Sequence, residues 1–278
     1  MINYNELFEK SKELAKESGL TQLELYQRFM FERILERISI SKYSENFILK
    51  GGLLLSAMLG INSRSTRDMD ISIKGIDVSQ ETMLKILNEI LSIDINDQVK
   101  FDVINITDIR TEDEYGGNKY HLVGRLENLK VALEIDISTG DEITPKELNY
   151  EYISIFENKK IYIDTYNIET ILAEKIETIL RRGKYNARMK DYYDVYFFLT
   201  KLKNDINIEI FGQALNNTLR KREAFEYYND YIQILDGLVN DERINTYWNT
   251  YKKKNKYAEN IEFNEIVEIL REFLNYIN

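Results

Sequence analysis

The chain has 278 residues, 44% hydrophobic and 12% aromatic, enough for one substantial core and a second smaller one. It has no cysteine and a single histidine, His121, which excludes disulfides, thiolate catalysis, thiolate-bound zinc and a multi-histidine metal site; any metal must sit on oxygen, as Mg²⁺, Mn²⁺ or Ca²⁺ do. A formal net charge of −10 argues against a surface that coats nucleic acid and leaves room only for a local basic strip, and neither a membrane-length apolar run nor a basic-then-apolar leader is visible.

The first forty residues read as two helices. In the second, over 20–38, Leu23, Tyr26, Phe29, Met30, Ile34 and Ile38 recur at helical spacing behind a candidate cap at Thr21. A short apolar run, Phe47-Ile48-Leu49, then ends in Lys50-Gly51-Gly52, and a helical stretch follows over 53–59. Residues 60–67 are polar and loop-like. Met69-Asp70-Ile71-Ser72-Ile73 alternates at period two and reads as a strand. Residues 80–93 are an amphipathic helix; 101–109, 119–126 and 130–137 read as strands, with Gly116-Gly117 and Glu127-Asn128 as turns. Strands and helices mix up to about 165. Beyond it nearly everything is helical: 168–182, 189–201, 208–221, 225–239 and a last helix near 263–276. The expected organisation is a mixed α/β domain over 1–165 followed by an all-helical domain over 166–278.

Three pieces carry chemistry. Lys50-Gly51-Gly52 stands between an apolar run and a helix, where glycines let the backbone approach phosphate and a helix N-terminus offers unpaired N–H groups. Such a turn also serves purely structural ends. Asp68 and Asp70 head a strand at i and i+2, so both carboxylates project from one face and invite a cation; the bland reading is a solvated acidic turn. Asp136 lies between Ile135 and Ile137, with Glu134 on its face by parity, where a third acid can accept a proton or hold metal; the bland reading is an edge-strand acid facing water.

In this order the pieces resemble the nucleotidyltransferase pattern: a Gly-Gly turn, an Asp-x-Asp on the next strand and one acid on a later strand. LKGGLLLSAMLGINSRSTRDMDISI, residues 49–73, resembles the first motif of the AbiEii/AbiGii-type toxins of abortive-infection and toxin–antitoxin systems. IETILAEKIETILRRGKYNARMKDYYDVYFF, residues 168–198, resembles their helical motifs. The resemblance implies a nucleotidyltransferase-like N-terminal domain with a mixed sheet, completed by the helical domain. It implies Mg²⁺, or Mn²⁺, held by Asp68, Asp70 and Asp136, an NTP substrate, and transfer to an acceptor such as the 3′ end of tRNA. It further implies cytoplasmic growth arrest in phage defence, opposed by a cognate antitoxin. Lys50, Gly51 and Gly52 would cradle phosphate, with Arg64 and Thr66 in the loop before Asp68. The rivals are nucleotidylation of a small molecule, as in antibiotic-modifying relatives, and a catalytically silent NTP- or antitoxin-binding module.

The helical motif has its own physical logic. Lys175 falls in line with Ile171 and Ile179 on an apolar stripe, and Asp191 aligns with Val195 and Phe198 on the next helix. An inward lysine must snorkel or meet an anion. The two form an ion pair, or the lysine reaches triphosphate while the aspartate orients it; the resemblance implies the latter. Arg188 and Asp194 flank this motif, whereas Glu174 and Glu177 read as a solvated face. Arg181, Arg182, Lys184, Arg188 and Lys190, with Tyr185 among them, form the densest basic strip, fit for an RNA backbone or for compensating a helix dipole. His121 and Trp248 read as packing or surface groups.

Overall fold

The structure, a computed structural model, describes residues 2–60, 66–109, 117–139 and 142–277. The chain forms two compact units, Met1–Gly140 with Glu147–Tyr166, and Asp141–Lys146 with Asn167–Asn278.

The first unit opens with helices α1 (Tyr4–Ser18) and α2 (Gln22–Ile40), each started by a capping box. At α2 the Thr21 hydroxyl accepts from the Glu24 N–H, and the Glu24 carboxylate accepts from the Thr21 N–H in return, which satisfies two orphan donors of the helix end. There follow β1 (Phe47–Lys50), α3 (Gly51–Leu59), β2 (Asp68–Ile73), α4 (Gln80–Leu91), β3 (Lys100–Ile109), β4 (Gly117–Leu126), β5 (Leu129–Thr139), β6 (Leu148–Ile153) and β7 (Lys160–Thr165). The strands make one mixed sheet in the order β3-β4-β5-β2-β1-β7-β6. β2 runs parallel to β5 and β1 to β7, while the other neighbours are antiparallel. Strands β6 and β7 are additional to those the period-two pattern marks out.

Alternation divides the central strands cleanly. Met69, Ile71, Ile135 and Ile137 are buried on one face, and Asp68, Asp70, Glu134 and Asp136 share the other. Each such buried side chain is worth roughly 1.5–3 kcal/mol, so a one-residue slip that exposed the apolar set would be strongly disfavoured. The register that lines up the acids is therefore held by the core on the far side of the sheet. Gly124 on β4 reflects the same close packing: a Cβ there would lie 2.9 Å from the Met30 sulfur of α2.

Helix α2 is buried almost all round, and it buries charge as well as hydrocarbon. Arg37 forms a bidentate pair with Asp97, both bonds at 2.8 Å, and donates to the Val99 carbonyl at 3.0 Å. Glu32 accepts from Tyr152, Ser154 and the Ile155 N–H, and burial, its largest influence, pushes its carboxyl up. These groups tie α2 to the loop before β3 and to the β6–β7 turn; removing a single partner would leave a buried charge short of its counter-charge.

The second unit is helical: α5 (Ile168–Arg182), α6 (Met189–Lys201), α7 (Ile208–Lys221), α8 (Phe225–Asn229), α9 (Tyr231–Val239), α10 (Glu242–Lys254) and α11 (Phe263–Ile277). The Asn167 side chain caps α5 by accepting from the Thr170 N–H, and its amide donates to the Thr144 carbonyl at 2.6 Å. That bond, with Asn217 donating to the Thr144 hydroxyl at 2.9 Å, anchors residues 142–146 among the helices. The helix expected over 225–239 is broken at Asp230 (φ −97°, ψ 15°), without the proline or glycine that would announce it. Helix α10 is additional to the expected set; only Ile244 and Trp248 on it are buried, too sparse an apolar stripe to mark the segment. Trp248 sits in the core, donating its indole N–H to the Ile261 carbonyl at 2.9 Å. Among the described residues no helix is long and apolar enough to cross a membrane.

Candidate active site

The acids meet through strand register. β2 and β5 run parallel with Asp70 opposite Asp136 and Asp68 opposite Glu134. On the β1 side Lys50 lies opposite Asp70, and on the β4 side Lys119 lies opposite Asp136 and His121 opposite Glu134. Two polar rows thus cross one face of the sheet: Lys119–Asp136–Asp70–Lys50, and His121–Glu134–Asp68.

The glycine turn closes over Asp70. Gly51 has φ +64°, and a Cβ built on it would stand 1.9 Å from the Asp70 Oδ2, so both conformation and space require glycine. The Gly52 N–H, in the first turn of α3, donates to the same oxygen at 3.3 Å. This aims the carboxylate at the positive end of a helix. Asp68 is held by the Thr66 hydroxyl, which donates to its Oδ1 at 2.9 Å. The Lys50 ammonium donates to the Ser138 hydroxyl at 3.0 Å and lies 5.6 Å from the centre of the Tyr166 ring. Arg64 lies outside the described residues.

Charge is concentrated here. Burial, then Asp70, then Asp68 push the Asp136 carboxyl up to about 6, against the opposing pull of Lys119. Lys119 on β4 places its ammonium 2.8 Å from Glu134 Oε2 and 3.3 Å from Asp136 Oδ1. His121 lies 3.5 Å from the other Glu134 oxygen and shares a hydrogen bond of 3.1 Å with the Thr107 hydroxyl. Among the described residues no three acidic or histidine side chains stand close enough together to enclose a metal ion. Lys119 and Ser138 escape the sequence reading because only register places them beside the acids.

In the second unit, Lys175 on α5 is an almost buried ion-pair centre, 2.9 Å from Asp191 and 2.7 Å from Asp194, both on α6 and essentially buried. Arg188 completes the cluster, 2.9 Å from the second Asp191 oxygen. Sequence periodicity put Lys175 and Asp191 on inward stripes; Asp194 is an equal partner, not a flanking residue. Glu177 overturns the solvated-face reading. It is fully buried between Arg181 and Arg222, because α7 and the turn after it cover that side of α5. Glu174 lies 3.8 Å from Arg222. Arg181 is thereby committed inward, so the exposed part of the basic strip is carried by Lys184, Tyr185, Arg188 and Lys190.

A family model described as the nucleotidyl transferase AbiEii toxin of type IV toxin–antitoxin systems matches residues 33–269. Among solved structures, the chain is similar to JHP933 from Helicobacter pylori, at 15% identity and TM-score 0.50 over 93% of each chain. It is also similar to a candidate nucleotidyltransferase from H. pylori, at 14% identity and TM-score 0.51, over 93% of this chain and 96% of that one. At such identities the likeness concerns the fold. No curated protein matches the sequence.

Proposed function

The chain belongs to the AbiEii family of nucleotidyl transferase toxins of type IV toxin–antitoxin systems, and we propose that it transfers a nucleotide from an NTP to the 3′-terminal hydroxyl of an RNA, with tRNA the favoured acceptor. The observation that carries this reading is the register row in which Asp136 faces Asp70, beneath a helix N-terminus that only glycine permits.

The chemistry of the donor set suits a hard divalent cation, although among the described residues its carboxylates are not gathered closely enough to enclose one. The set consists of carboxylates alone, and burial first, then Asp70 and Asp68, push the Asp136 carboxyl up, so that its ionised form is disfavoured until a cation offsets it. Mg²⁺ held by Asp68 and Asp70, with Asp136 at its side, would neutralise charge on the triphosphate. Lys50 would supply a cation to the phosphates, the Gly52 N–H holds Asp70 beside them, and Thr66 keeps Asp68 in place. Asp136 takes the proton of the acceptor hydroxyl as that oxygen attacks the α-phosphorus. The bond from the α-phosphorus to pyrophosphate breaks, and pyrophosphate leaves. Such a displacement needs chiefly positioning and charge neutralisation. Lys175, steadied by Asp191, is a further proposed phosphate-binding group.

In a cell this activity would act in the cytoplasm, consuming RNA 3′ ends until growth stops, with an antitoxin opposing it. The test is incubation of the purified protein with total tRNA, Mg²⁺ and each α-labelled NTP in turn. Label incorporated at RNA 3′ ends is the expected result. Transfer to aminoglycosides with none to RNA would replace the acceptor, and no transfer to either would overturn the reading.

A further inference from the structure

We propose that Lys119 is a built-in counter-cation for the acid pair, a positioning residue that holds Asp136 when no divalent cation is bound and yields the carboxylate when one arrives. The proposal rests on the nucleotidyltransferase reading for its purpose, though not for its test. Lys119 takes no part in the glycine turn, the Asp-x-Asp or the helical motif. Strand pairing nevertheless sets it directly opposite Asp136, its ammonium 3.3 Å from Asp136 Oδ1 and 2.8 Å from Glu134 Oε2.

The geometry distinguishes this lysine from an ordinary surface partner. The Lys119 side chain is 27% exposed and that of Asp136 21%, so the pair is partly withdrawn from water and less screened than a surface contact. Its second partner, Glu134, is itself braced by His121, which shares a hydrogen bond with Thr107 on β3. The ammonium therefore has a fixed home on the β4 side of Asp136, and Asp70 stands on the β2 side. Asp136 lies between a resident cation and the carboxylate with which it would share a metal. A divalent ion and the ammonium then compete for one carboxylate. When the ion wins, Lys119 keeps Glu134 at 2.8 Å and is not left unpaired. Glu134 is accordingly the lysine's anchor and not a metal ligand.

Competition has a sign that a merely structural ion pair does not share. Removing the ammonium while keeping the chain length should make the site bind a divalent cation more tightly; a lysine that only braces the sheet would leave affinity unchanged or weaken it. The experiment titrates Mn²⁺, with no nucleotide, against wild type, Lys119→Met and Lys119→Arg, following free ion by electron paramagnetic resonance and melting temperature in parallel. Lys119→Met should bind Mn²⁺ about tenfold more tightly, on the scale of one partly screened neighbouring charge. It should also melt lower than wild type in chelator and gain more from added Mn²⁺. Lys119→Arg, which keeps the charge, should stay at or below wild-type affinity. Equal or weaker binding by Lys119→Met overturns the proposal, as does Mn²⁺ binding by none of the three. Because no turnover is measured, failure here is distinguishable from failure of the RNA-labelling test.

Discussion

Asp136→Asn should make the metal-free protein more stable while stopping transfer. The Asp136 carboxyl is pushed from an ordinary 3.8 to about 6, chiefly by burial and then by Asp70. A folded-state value above the unfolded one means that folding favours the protonated acid. Stability from this group is complete below about pH 4 and is lost as pH rises through about 6. About two units at 1.36 kcal/mol each set an upper figure of roughly 3 kcal/mol for the cost of the ionised group at pH 8. With the side chain 21% exposed, screening should reduce this to about 1–3 kcal/mol. Asparagine keeps the shape and removes the charge, and Lys119 retains Glu134. The mutant should therefore melt a few degrees higher than wild type in EDTA at pH 8, at about 2–4 °C per kcal/mol, with the gap closing towards pH 4. Calorimetric scans of both proteins from pH 4 to 8 measure it. A mutant that melts lower at pH 8, or a gap that does not grow with pH, would refute the reasoning that the site is overcharged without its cation.

Asp70→Asn should lower transfer by at least about a hundredfold, the scale for losing one preorganised charge-stabilising group, without unfolding. It should also bring the Asp136 carboxyl down towards its ordinary range, readable by carboxyl NMR; wild-type turnover would sink the assignment. Gly51→Ala should disrupt the site more than any acid-to-amide change, since alanine meets both an unfavourable φ and the Asp70 carboxylate. A melting temperature and activity equal to wild type would show that the turn relaxes freely. Lys175→Ala should cost about 3–5 kcal/mol, because it strips a cation from two essentially buried carboxylates, and should raise the NTP requirement. Lost stability with unchanged NTP affinity would make Lys175 a structural partner of Asp191 and Asp194 only.

The local features of this protein are written in its local sequence. Thr21 and Glu24 announce the start of α2; the i, i+2 spacing puts Asp68 and Asp70 on one face; Gly51-Gly52 marks a turn that a side chain at Gly51 would obstruct; the stripes of α5 and α6 turn Lys175 and Asp191 inward. Each follows from a period or a cap spanning a few residues, which any reader of the chain can count. The associations between distant segments are of another kind. That β2 lies beside β5, so that Asp70 faces Asp136, that β4 brings Lys119 to the same row, and that α7 and the turn after it carry Arg222 over Glu177 are decided by which apolar faces bury best together. Glu177 shows why periodicity alone misleads: a helix face is solvated only if nothing covers it, and the covering Arg222 comes from 45 residues further along the chain. Sequence shows which groups share a face of their own element; only folding, by burying Met69, Ile71, Ile135 and Ile137 on the far side of the sheet, sets the register that turns separate acids into one site.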